Sequence, residues 1–88
     1  MRLVLIDWVD SLGCGSGWQP LEHCHPKPLR CRSVGWLIHD GEDCKVVVPH
    51  VTEDHENAAS QGCGDMTIPV MSILHIVDLA VPAYPVAT

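Results

Sequence analysis

Along positions 2–9 the chain reads RLVLIDWV, and Val4, Ile6 and Trp8 fall on one side of an extended segment because strand side chains alternate. This predicts a first strand. Over 11–30 the composition turns to Gly, Ser, Pro and His, and Pro20, Pro26 and Pro28 each remove a backbone donor, so a long loop follows. Two β-rich runs, 32–39 and 44–51, then flank Asp40-Gly41-Glu42-Asp43, and Asp-Gly is a strong hairpin signal. An even loop would place Val34, Trp36 and Ile38 with Lys45 and Val47. An odd loop or a bulge would join them to Cys44, Val46 and Val48, a fuller apolar face, and that is the register expected, with Trp8 and Trp36 as core side chains.

Positions 52–64 are polar and rich in turn residues, and although TEDHE can open a helical turn, the Gly-Cys-Gly after it stops one. DMTIP supplies a short strand ending at Pro69. In VMSILHIVDL the spacing of Ile73, Ile76 and Leu79 departs from alternation, which one helical turn over 69–72 leading into a strand over 73–79 reconciles. The expected architecture is all-β: one small domain over 1–80, an SH3-like five-stranded barrel with a long first loop at 11–31 and a one-turn helix before the last strand. An OB-type barrel is second, since it wants a longer helix than 52–64 supplies. The Pro-punctuated 81–88 is expected to be a flexible tail.

The chain has 88 residues, so its core is only a few side chains deep, and oligomerisation would add stability. It is 47% hydrophobic and 18% charged, which excludes a disordered polymer. A net charge of −6 works against the phosphate neutralisation that nucleic-acid binding needs. MRLVLIDWVD meets Asp7 and Asp10 too soon for a signal peptide, and no apolar run is long enough to span a bilayer as a helix. Five cysteines without paired spacing then read as free thiols in a reducing cytosol.

DWVDS followed by Trp18, then CRSVGWLIHDGEDCKVVVPH, then GDMTIPVMSILHIVDL, together resemble a group of small, largely uncharacterised bacteriophage proteins. The resemblance covers the strands and hairpin, about two-thirds of the chain, and leaves out 11–30. It implies a phage origin and the cytoplasm of an infected bacterial host, and it brings no catalytic residues.

LEHCHPKPLRC is the stretch with the most varied chemistry. His23, His25 and Cys31 offer three zinc ligands, with Cys14 in reserve, but no Cys-x-x-Cys knuckle is present and the bland alternative is a solvated Pro-rich loop. The two GCG triplets read as turns rather than phosphate loops, since neither leads into a helix. A Cys–His nucleophile at Cys24 would sit on an unsupported loop, so no enzyme activity and no cofactor are expected. Trp18, a loop aromatic, and the acidic tip Asp40, Glu42 and Asp43 are the candidate protein-binding residues. The function expected is a non-enzymatic binding module for a host or phage protein. The alternative is a binder that sequesters a small molecule or nucleotide signal at an oligomer interface, with Arg30 and Arg32 as ligand residues.

Overall fold

A computed structural model describes residues 1–13, 15–24, 26–54 and 59–83. They form strands β1 (Arg2–Asp10), β2 (Leu29–Asp40), β3 (Cys44–Val48), β4 (His50–Val51), β5 (Gly62–Cys63), β6 (Met66–Pro69) and β7 (Ile73–Asp78). Single 3-10 turns lie at Leu21–His23 and Val70–Ser72. Five strands make one antiparallel sheet in the order β6-β3-β2-β1-β7, while β4 and β5 pair as a separate ribbon. The all-β class, the long first loop, the central hairpin and the turn before the last strand agree with the sequence reading.

The sheet is open, with β6 and β7 unpaired to each other, but its connectivity requires it to curl. Its two edge strands, β6 and β7, are joined only by Val70–Ser72, which advances about 6 Å. The edges of a flat five-stranded sheet would stand about 19 Å apart. Curling therefore brings β6 round toward β7, and the concave face closes on one core. Val4 and Ile6 of β1, Leu37 of β2, Val47 of β3 and Ile68 of β6 fill it, with Trp8, Ile73 and Ile76 packed against them. Ile6 and Ile68 are wholly buried, each contributing about 1.5–3 kcal/mol by leaving water. Gly35 sits opposite Val4, and a Cβ there would come within 2.9 Å of the Val48 carbonyl oxygen. Only a residue without a side chain lets β3 fold this closely over β2.

Several expectations need correction. The irregularity expected in the hairpin is present between Leu37 and His39, and it sets Trp36 opposite Val48. Yet the face so formed is not the core: Val34 and Ile38 are exposed, Trp36 is half-buried, and the inward residues are Leu37 and Val47. The run at 44–51 is not one strand, because Pro49 lacks a ladder donor and turns His50–Val51 away to pair with β5. That ribbon, absent from the five-strand expectation, covers Val48, whose Cγ1 lies beside Gly62. The loop ends before 31, since β2 pairs with β1 from Leu29 onward. The uneven spacing at 73–79 has a simple cause: a bulge between Asp7 and Trp8 in the β1–β7 ladder leaves Leu74 without a partner. Of the tail at 81–88, residues 84–88 lie outside the described residues.

Candidate functional site

Alternation along β1 sends Val4, Ile6 and Trp8 inward and must send Leu3, Leu5, Asp7 and Val9 outward. Directly paired residues share a face, so register builds the outer surface row by row. One row is His75, Asp7 and Arg32. The next is Val77, Leu5 and Val34, and beyond it lie Leu3, Trp36 and Val48. Val34 and Val77 are 53% and 52% exposed and flank Leu5 on both sides. This is a continuous apolar row on a sheet face that the described elements leave open. Where the ribbon approaches, Trp36 lines a groove of about 330 Å³ with Met1, Val51, Thr52, Glu53 and Ser60.

The charged row has a defined geometry. Arg30 Nη2 lies 3.4 Å from Asp7 Oδ2, and Arg32 Nε lies 3.2 Å from Asp7 Oδ1. The carboxylate is only 13% exposed beneath guanidiniums that are 64% and 74% exposed. With Cys31 these residues line a cleft of about 290 Å³. Each guanidinium directs a single N–H at Asp7, and among the described residues the rest of its donor fork has no side-chain partner. Both guanidiniums stand mostly in water, so an incoming anion can reach the donors that Asp7 does not use.

The candidates read from sequence scatter over the fold. Trp18 is fully exposed in the loop that leaves β1 at Asp10 and enters β2 at Leu29. The acidic tip stands at the other end of β2, roughly 35 Å of extended strand away. Within that tip only Glu42 and Asp43 pair with no cation among the described residues. Asp40 accepts from Lys45 Nζ and lies 3.2 Å from Arg2 Nη1, and Arg2 Nε donates to Asp78 at 2.8 Å. The hydrogen bond and charge of Lys45 hold the Asp40 carboxyl below its ordinary value, and Asp78 first, then Asp40, hold Arg2 above its own. Asp40 is therefore a structural tie across the mouth of the hairpin.

His23 is exposed on a 3-10 turn, while Cys31 sits in β2 opposite the inward Trp8 with its thiol directed at the Leu29 carbonyl, 3.9 Å away. His25, Cys14 and Glu56 lie outside the described residues. Among the described residues no three His, Cys, Asp or Glu side chains gather in a metal-holding arrangement. Cys24, Cys31, Cys44 and Cys63 are free thiols. Gly17 and Gly64, from the two Gly-Cys-Gly regions, have positive φ and make turns.

Arg30 and Arg32 are the pair the fold does bring together. The sequence reading did not find the apolar row beside them, although a signal for it was present: Arg30, Arg32, Val34 and Trp36 share one parity along β2. No family model, curated protein or solved structure matches the chain.

Proposed function

We propose that this chain is a small, non-enzymatic, phage-encoded binding module that acts on a host or phage protein in the bacterial cytoplasm, and that its coiled sheet is an SH3-like barrel. The strand order and the single 3-10 turn between β6 and β7 support the barrel. One observation carries the function: Leu5, Val34 and Val77 form an open apolar row bordered by charge. Scattered exposed apolar residues are ordinary, but a contiguous row with a polar rim has the composition of a protein interface. Trp18 and the exposed Leu12 and Leu21 on the same long loop give the module an adaptable second contact.

Capture from bacterial lysate with the purified protein, with and without nuclease, tests this. A specific protein should be retained by the native chain regardless of nuclease and lost on Val34→Glu, a change at an exposed site that leaves the core intact. Loss of the protein on nuclease treatment, or equal retention by Val34→Glu, argues against the proposal. The Asp7–Arg30–Arg32 cleft favours a second reading, a binder of a small anionic molecule. A ligand-dependent rise in melting temperature with no protein partner present distinguishes it.

A further inference from the structure

We infer that the Arg30–Arg32 pair is the docking point for an extended segment of the protein partner carrying an acidic residue and, two positions on, an aliphatic one. The inference rests on the binding-module reading and adds the chemistry of what is bound. Charge points to this place. Of the five Lys and Arg side chains, Arg2 and Lys45 are tied to Asp40 and Asp78, and Lys27 lies in the loop. Arg30 and Arg32 share one carboxylate between them, so their cluster carries one surplus positive charge on a chain of net −6. The natural complement is a group of single negative charge. A carboxylate meets that description, whereas a dianionic phosphate would face the Asp7 carboxylate uncompensated. The cleft, about 290 Å³, suits a side-chain carboxylate better than a whole nucleotide.

Spacing fixes the rest of the pattern. Arg32 and Val34 are alternate residues of β2, so their side chains emerge about 7 Å apart on the outer face. An extended peptide repeats at the same distance. In a segment that runs in the direction of β2, an acid over the arginines places its second following side chain over Val34, beside Leu5 and Val77, as in other extended-segment recognition where alternate side chains are read. Elsewhere the protein's negative field repels an acidic segment, which confines the encounter to this face.

Titrating ¹⁵N-labelled protein with a blocked peptide containing Glu-Ser-Leu tests the pattern, beside control peptides containing Gln-Ser-Leu and Glu-Leu-Ser and inorganic phosphate. The Glu-Ser-Leu peptide should shift the side-chain Nε–H signals of Arg30 and Arg32 and the amides of Leu5, Val34 and Val77. Both peptide controls should bind at least about fivefold more weakly, as should Arg30→Gln/Arg32→Gln protein and protein in high salt. Unchanged amide positions in the inner strands establish that this double variant is folded. Absence of these shifts up to ~10 mM peptide, equal response to Gln-Ser-Leu, or tighter binding of phosphate at the same residues overturns the inference. A lysate partner held equally by native and double-variant protein also overturns the docking point, yet leaves the binding-module reading standing. A shift pattern as expected with no lysate partner retained supports the docking chemistry and counts against that reading.

Discussion

The two faces of the same three strands, β7, β1 and β2, are built from similar residues and meet opposite fates. Ile6 and Leu5 are neighbours in sequence, yet Ile6 is wholly buried among Val4, Leu37, Val47 and Ile68, while Leu5 lies in a row whose two flanking valines stay half in water. Hydrophobicity does not separate them. Curvature does: the 3-10 turn that brings β6 round toward β7 selects which face becomes concave, and that face is covered along these three strands, whereas on the convex face the ribbon reaches only the Trp36–Val48 end. The convex face keeps apolar side chains that folding does not require, and so they are available for association.

The sharpest way to break this contrast is to truncate one residue on each face. Ile6→Ala should cost about 2–5 kcal/mol, because it leaves a cavity the coiled sheet cannot collapse, while Val34→Ala should stay within about 0.5 kcal/mol. Urea midpoints that fall equally for both would show that the convex face is as structural as the concave one. Next in size is Gly35→Ala. The added methyl meets the Val48 carbonyl oxygen and the Val47 side chain, and should cost about 1–3 kcal/mol through backbone displacement, seen as a lowered urea midpoint. A neutral result would mean that β3 does not lie so close over β2.

Smaller effects sharpen the same boundary. Trp8 Nε1 donates to Ser33 Oγ at 3.0 Å on the concave side, and Ser33→Ala should lower stability by about 1 kcal/mol in chemical denaturation. Trp18→Ala should change stability less than that, its side chain being surrounded by solvent. The smallest expected effect is at Asp40, across the hairpin mouth. Lys45 holds the folded carboxyl below its ordinary value, so above about pH 4 the tie contributes in full, and it is lost as pH falls through the folded value. Asp40→Asn should therefore slightly lower the melting temperature at neutral pH, where the tie is present, and leave the most acidic points, where it is already lost, almost unchanged, so that the acid limb flattens.

Much of the fold was legible because turn chemistry is local. Asp40-Gly41 announced the hairpin and the prolines between 20 and 28 announced the loop, while the turn before β7 is present although the broken alternation from which it was expected comes from the bulge at Leu74. The face of β2 was misread because in SVGWLI the bulky apolar residues Val34, Trp36 and Ile38 share one parity while the packed side carries Ser33, Gly35 and Leu37, so periodicity pointed to the solvent side. Three residues could have decided it: Gly35 marks a close approach and hence the packed side, and Arg30 and Arg32 mark the solvent side. The candidate site was legible in part. Arg30 and Arg32 stood out as neighbouring cations, but Asp7 joins them only through a ladder of antiparallel pairs that no local pattern encodes.

The placement of β1 between β2 and β7 also governs the order in which the molecule can assemble. Arg2 closes on Asp78, 76 positions later, so one side of β1 has no partner until almost the whole described chain exists. Pairings of such long separation slow folding, because the entropy of closing the chain is lost before most contacts form. During synthesis β1 and β2 emerge with an open edge and an uncovered Val4 and Ile6, the condition in which strands are most prone to pair with the wrong neighbour. The charged ends of β1, Arg2 and Asp10, and the long loop that delays β2 mark the interval during which this nascent strand stands alone.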